Sequence, residues 1–185
     1  MYLIVGLGNP EEEYANTRHN MGFDAINKIS QKYNIDVNKR KFKGLYGTGV
    51  IEGKKVILLK PQTYMNLSGD SIIEVMDYYG IEVEDLIVIY DDMDIEKGTM
   101  KIRKKGGPGS HNGMKSVVEN LQTTNFARIR IGIGRPEHGQ DKINFVIGKF
   151  PKEEQEMLEV GVHKAVEAIP VILLEGIDNA MNRCN

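Results

Sequence analysis

The chain has a single cysteine, Cys184, next to last in 185 residues, so no internal disulfide can staple the fold. A reducing compartment, the cytoplasm by default, is the natural expectation. No apolar run approaches the ~18 residues that span a bilayer, so no membrane partner is expected. The opening Met1-Tyr2-Leu3-Ile4-Val5 has neither the basic flank nor the length of a secretory signal. Internal repeats and low-complexity tracts are missing too. A large excess of one charge is also lacking: the net charge of −2 argues against wholesale attraction to a polyanion. What is present is ordinary, with 41% hydrophobic and 27% charged residues. Such a chain can form one domain over residues 1–185 with a sizeable buried core.

The charge is unevenly placed. From Lys152 to Asn185, three basic residues (Lys152, Lys164, Arg183) oppose seven acids, so this tail is at −4 and the first 151 residues are at +2. Basic residues cluster at Lys39-Arg40-Lys41 with Lys43, and again at Lys101, Arg103, Lys104 and Lys105. Either cluster reads as a solvated face or as a polyanion-binding patch.

Hydrophobic periodicity predicts an α/β fold, a twisted mixed sheet flanked by helices. Tyr2 to Gly6 and Leu86 to Tyr90 read as buried strands, residues 45–51 and 54–59 as a hairpin around Glu52-Gly53, and residues 98–103 and Ala127 to Ile133 as further strands. Helices are expected over residues 22–34, from Leu67 to Tyr79 with Ser68 a candidate N-cap and Gly80 a stop, and from Gly113 to Leu121. The C-terminal third reads as helical with an interruption at Pro170, which has no amide hydrogen to donate. In such folds ligands gather where strands end. Asn9 follows the first strand, Asp91 follows the 86–90 strand, and the glycine-rich stretch from Gly106 to Gly113 precedes a helix, so distant loops are expected to meet at one cleft.

Several familiar motifs fail. Gly6-x-Gly8 has Glu11 where a dinucleotide fingerprint needs its third glycine. The stretch ending Gly113-Met114-Lys115-Ser116 separates glycine from lysine, against the phosphate-binding loop. Asp92-x-Asp94-x-Glu96 has Lys97 where a calcium loop needs glycine and Arg103 where it ends in glutamate. The four histidines show no metal-ligand spacing, and no G-x-S-x-G nucleophile elbow occurs. What remains is asparagines and histidine in glycine-rich loops. His19 has the side chain suited to proton transfer near neutral pH, or it caps a helix or faces solvent. Asn9 either acts or holds a turn before Pro10. Asn66 and Asn112 each read equally as helix caps. Asp91, Asp92 and Asp94 form a solvated loop or a magnesium site.

Taken in order, these segments resemble the bacterial-type peptidyl-tRNA hydrolase family. Gly6-Leu7-Gly8-Asn9-Pro10 with Tyr14 and Thr17-Arg18-His19-Asn20-Met21-Gly22 is similar to its first signature, and Lys60-Pro61-Gln62-Thr63-Tyr64-Met65-Asn66-Leu67-Ser68-Gly69 to its second. Asp91-Asp92-Met93-Asp94 resembles the third block. Gly106-Gly107 through His111-Asn112-Gly113 resembles the fourth, followed by Arg130-Ile131-Gly132-Ile133-Gly134. One departure is Pro108-Gly109-Ser110, where relatives often carry other small residues. The resemblance implies hydrolysis of the ester between peptide and tRNA, which would recycle tRNA from stalled or abandoned translation. It implies His19 as general base, Asp91 as the carboxylate that holds it, and Asn9 as the group that positions the ester carbonyl or the water. It further implies that Asn66 and Asn112 grip the peptide main chain and that Met65 and Tyr14 line the pocket. Lys101, Arg103, Lys104, Lys105, Arg130, Arg135 and Lys142 would meet tRNA phosphates. No metal or other cofactor is implied, and a cytoplasmic monomer is expected. The chemistry is sensible on its own terms, because an aminoacyl ester is already activated and asparagine amides hold a backbone without reading side chains. Two other readings stand beside it: a metal-dependent phosphoryl- or nucleotidyl-transfer enzyme built on Asp91, Asp92 and Asp94, and a non-catalytic RNA-binding protein. Sensitivity to a chelator separates the first, and the presence of His19, Asp91 and all three asparagines weighs against the second.

Overall fold

In the computed structural model, which describes residues 1–185, the short β-branched runs assemble into one mixed sheet. Its strands are β1 (Tyr2–Gly6), β2 (Lys39–Lys41), β3 (Gly44–Ile51), β4 (Lys54–Pro61), β5 (Leu86–Asp92), β6 (Met100–Arg103) and β7 (Ala127–Gly132). Their order across the sheet is β2-β3-β4-β1-β5-β7-β6. The central strands β4, β1, β5 and β7 run parallel, whereas β2, β3 and β4 form an antiparallel meander and β6 reverses against β7. The parallel strands therefore finish at the same end of the sheet, and the loops that carry the candidate residues gather there.

Side chains alternate across each strand, so both faces of the sheet are buried. Ile4 of β1 and Ile87 and Ile89 of β5 face a core of 26 residues that includes α1 (Met21–Tyr33), α5 (Lys152–Glu175) and α6 (Ile177–Cys184). Leu3, Val5 and Val88 face a second core of 18 residues beneath α2 (Ser68–Tyr79) and α3 (Asn112–Leu121). Helix α1 rests directly on β1, because a Cβ at Gly6 would lie 2.1 Å from the Gly22 carbonyl oxygen. Only glycine permits that approach, and it sets the height of the turn immediately before α1.

Two expectations need correction. Helix α5 does not break at Pro170 but continues for 24 residues. Losing one backbone bond costs about 3 kcal/mol. Ile169, Ile172 and Leu173 are all buried beside it, and each contributes roughly 1.5–3 kcal/mol by burial, so packing outweighs the break. Ser68 is not the N-cap of α2: Leu67 occupies that position, and the Ser68 hydroxyl donates to the Met65 carbonyl at 2.7 Å. Gly80 does end α2 in the left-handed conformation, at φ 65°. The basic run Lys39–Lys41 is the exposed strand β2 at the sheet edge. The sequence reading also passed over the short helix α4 (Lys142–Ile147), whose start is capped by the Asp141 side chain accepting from the Ile143 amide at 3.3 Å.

Candidate active site

His19 lies in a 3-10 turn, Arg18–Asn20, directly ahead of α1, and all three residues of that turn are buried. Asp91 lies at the end of β5 and is 2% exposed. The two side chains meet across 72 residues of sequence: His19 Nδ1 lies 2.8 Å from Asp91 Oδ2. A third group completes the arrangement. His111 Nε2 lies 3.0 Å from Asp91 Oδ1, so one carboxylate is held between two imidazoles.

The hydrogen-bond network fixes the protons. His111 is the N-cap of α3, and its Nδ1 accepts from the Met114 amide at 3.2 Å. A nitrogen that accepts carries no hydrogen, so the His111 proton is on Nε2 and donates to Asp91. On the other side Asp91 is acceptor-only, so His19 Nδ1 donates to it. The His19 Nε2 lone pair is then unused and faces the cleft. Asparagine 112, a candidate cap in the sequence, is displaced from that role by the neighbouring histidine.

Burial penalises the Asp91 charge, but the two imidazoles and their hydrogen bonds outweigh it and hold the carboxyl well below the usual carboxylate range. Burial likewise pulls the His19 pKa down, yet the Asp91 charge and hydrogen bond together raise it above that of an ordinary histidine. The pair is thus a buried carboxylate that stays ionised beside a base strengthened by it.

The three neighbouring aspartates do not form one cation site. Asp92 Oδ2 accepts from Arg130 Nε at 2.6 Å, and its Oδ1 accepts from the Asp94 amide at 2.7 Å. Asp94 pairs with Arg135. Each carboxylate is therefore directed to a different partner, and the metal-dependent transferase reading through Asp91, Asp92 and Asp94 is not supported. His19, Asp91 and His111 do bring ligand-type atoms within 4.8 Å of one another, but both Asp91 oxygens are engaged by imidazole N–H groups.

The cleft in front of the pair has a volume of about 330 Å³. His19, Asp91, His111, Asn112, Arg130 and Lys142 all line it. Asn9 is buried against the turn that carries His19: its backbone amide donates to Asn20 Oδ1 at 2.7 Å, and its own Oδ1 accepts from the Met65 amide at 3.0 Å. The Asn9 side-chain NH₂ is left as the free donor. Met65 is buried, and it packs so closely on α3 that a Cβ at Gly113 would lie 2.6 Å from its sulfur. Asn66 and Asn112 are exposed. Tyr14 ends a 3-10 turn, Glu12–Tyr14, and, like Asn9, Met65 and Asn66, is not among the residues that line the cleft. Helix α4 contributes Lys142, Ile143 and Val146 as one wall. It is tied to the His19 turn by Arg18, whose Nη1 donates to the Phe145 carbonyl at 3.1 Å and whose guanidinium lies 4.1 Å from the Phe145 ring centroid.

The basic candidates separate. Because β6 runs antiparallel to β7, Lys101 is opposite Arg130 near the cleft end and Arg103 is opposite Arg128 further down. Lys104 pairs with Asp178 at 2.9 Å, away from the cleft, and Lys105 is exposed beside it. Sequence reasoning missed His111, Asn20 and Arg128. The last is 1% exposed, donates to the Thr124 carbonyl at 2.6 Å and lies 4.3 Å over the Phe126 ring. The one available signal for His111 was its place just ahead of a helix.

The sequence model of a family described as Peptidyl-tRNA hydrolase matches residues 3–185. A peptidyl-tRNA hydrolase of Alkaliphilus metalliredigens is 54% identical over 185 residues, all of both chains. One of Clostridium botulinum (strain Eklund 17B) is 52% identical over the whole of this chain and 96% of its own length. The crystal structure of peptidyl-tRNA hydrolase from Acinetobacter baumannii superposes with a TM-score of 0.94 at 39% identity, covering 100% of this chain and 94% of that one.

Proposed function

The chain belongs to the peptidyl-tRNA hydrolase family and is a hydrolase of the ester bond of peptidyl-tRNA, and on that premise we propose how its residues divide the reaction. His19 Nε2 takes a proton from water as the water attacks the ester carbonyl. The imidazolium so formed returns the proton to the ribose oxygen as the tetrahedral intermediate collapses, releasing peptide and tRNA. Asp91 holds the tautomer that leaves Nε2 free and stabilises the imidazolium. His111 holds Asp91 from the other side. The free NH₂ of Asn9 donates to the carbonyl oxygen as it gains charge. Asn66 and Asn112, whose side-chain amides make no hydrogen bond within the protein, bind the peptide backbone, and Met65, buried against α3, supports the loop that carries Asn66. Tyr14 has no part in this reading.

Lys101 and Lys142 are the cations best placed to meet phosphate beside the cleft, with Arg130, already paired with Asp92, next to them and Arg103 further along β6; Lys104 and Arg135 are paired with Asp178 and Asp94, and Lys105 is exposed next to Lys104. The substrate is a product of translation, which supports a cytoplasmic enzyme that returns tRNA from abandoned chains. No helix is long and apolar enough to cross a membrane.

The observation that carries the assignment is the single carboxylate shared by two histidines of which only His19 keeps a free nitrogen. It has a pH signature. Because Asp91 raises the His19 pKa, the acid limb of kcat/KM is expected above the ~6.5 of an isolated histidine. EDTA should leave the whole profile unchanged. A limb at or below the ordinary value, or loss of activity with the chelator, would refute the proposed base.

A further inference from the structure

The exposed cations of β2 have no task in the scheme above. Lys39, Arg40 and Lys41 make no ion pair with any carboxylate, and Lys43 reaches Glu74 only at 3.5 Å in solvent. Aromatic rings face two of them: Lys41 Nζ lies 4.3 Å from the Tyr78 ring centroid and 5.1 Å from that of Phe42, and Lys39 Nζ lies 5.9 Å from that of Tyr46. Tyr78 itself is 62% exposed. Edge lysines commonly serve only to prevent strand-to-strand aggregation. That role needs charge alone, and three features here go beyond it.

The turn joining β2 to β3 has Phe42 and Lys43 at φ 58° and 54°, two non-glycine residues in the left-handed region where asparagine and glycine are favoured. Residues held in such a conformation concentrate at binding sites. This turn also lies at the cleft end of the sheet, since Gly44 is opposite Pro61 and the Gln62 amide donates to the Lys43 carbonyl at 2.8 Å. Between turn and cleft, the loop that presents Asn66 leaves Tyr64 61% and Leu67 44% exposed.

We propose that this rim, from Asn66 past Tyr64 and Leu67 to Lys41 and Lys43, binds the peptide part of the substrate and favours acidic side chains some residues ahead of the ester. The inference rests on the hydrolase assignment. The sheet provides the ruler. From β1 to β2 is three strand spacings and from β5 to β2 four, or roughly 14–19 Å at about 4.8 Å each. An extended peptide covers that span in about four to six residues. The direction follows from placement: the cations proposed for tRNA phosphate lie toward β7 and β6, on the opposite side of His19 and Asp91. The peptide main chain, held by Asn66, leaves toward β4, β3 and β2.

The test uses the intact enzyme and peptidyl-tRNAs that share one tRNA and one esterified residue. Two carry a seven-residue peptide with either two aspartates or two lysines at the fourth to sixth positions before the ester, and a control carries a single N-acetylated amino acid. At low salt the aspartate substrate should show a KM lower than the lysine substrate by roughly three- to tenfold, the scale of two exposed ion pairs. The difference should shrink in the variant Lys41→Gln/Lys43→Gln, while the control keeps its kinetics. Equal KM values for the two long substrates with the parent enzyme would overturn the proposal without any variant. A variant that raises KM equally for the control and both long substrates would place tRNA on this surface and also overturn it. Loss of turnover on every substrate by the parent would instead refute the hydrolase assignment.

Discussion

His19 and His111 approach one carboxylate from opposite sides, at 2.8 and 3.0 Å, and both are sheltered from solvent. They differ in what their second nitrogen does. That of His111 accepts a helix amide, and that of His19 meets the cleft. The comparison teaches that proximity to a carboxylate does not make a histidine a base. The second hydrogen bond decides: the start of α3 fixes His111 as a donor to Asp91, and His19 alone keeps a nitrogen without a partner in the protein.

The largest effect should come from breaking the free side. His19→Ala should lower single-turnover hydrolysis about 10²–10⁴-fold, the usual range for losing a general base, with tRNA affinity nearly intact. Comparable loss in His111→Ala would erase the distinction between the two rings.

Asp91→Asn should come next, for a reason specific to the shared carboxylate. A carboxylate accepts on both oxygens, whereas an amide accepts on one side and donates on the other. Both histidines present an N–H, so one must change tautomer. His111 is held by the α3 amide, and His19 is the one to give way, leaving its proton on Nε2 where the base is needed. Turnover should fall roughly 10²–10³-fold, and the acid limb of the residual activity should move to lower pH, because the charge that raised the His19 pKa is gone. Adding His111→Ala removes the competing demand and lets the amide turn its oxygen to His19. The double variant should therefore be more active than Asp91→Asn alone by about tenfold, a reversal of sign that independent sites do not show. A double variant at or below the single one would disprove the tautomer account.

How much of this was visible in the sequence depends on how local the cause is. The strand runs, the hairpin at Glu52-Gly53 and the stop at Gly80 were legible because periodicity and backbone conformation are properties of a few adjacent residues. The meeting of His19 with Asp91 was expected from the resemblance and from strand ends gathering at one edge, and the two side chains do meet at 2.8 Å. Three things were not. His111 looked like filler in a glycine-rich loop, because its partner is 20 residues away and its capping role depends on where α3 starts. The run Lys101 to Lys105 looked like one patch, but the reversed direction of β6 sends its two ends to opposite ends of the sheet. Pro170 looked like a break because local rules count the lost hydrogen bond and not the core on either side of it.

A smaller effect is expected from His111→Ala alone. Hydrolysis should fall about tenfold, because Asp91 loses one charge-assisted hydrogen bond and with it part of its fixed orientation. The same substitution removes the cap of α3, so unfolding free energy should drop by about 1 kcal/mol. His111→Asn, which can accept from the helix amide and still present a donor, should recover most of the stability and less of the rate. If His111→Ala left the stability unchanged, the helix amide would not be what fixes this ring.

The smallest effect should come from Asn112, one residue along. It is exposed, and its side chain makes no hydrogen bond within the protein. Asn112→Ala should therefore leave the unfolding midpoint where it was, since the cap of α3 is supplied by His111. It should raise KM by only a few-fold, because one neutral hydrogen bond to a peptide backbone contributes about 0.5–1.5 kcal/mol. Thermal unfolding and steady-state kinetics of the two single variants, His111→Ala and Asn112→Ala, separate the alternatives. If Asn112→Ala lost the ~1 kcal/mol of a missing N-cap and kept its KM, the asparagine would be the cap. The His111 tautomer would then be unconstrained, and the asymmetry between the two histidines would lose its cause.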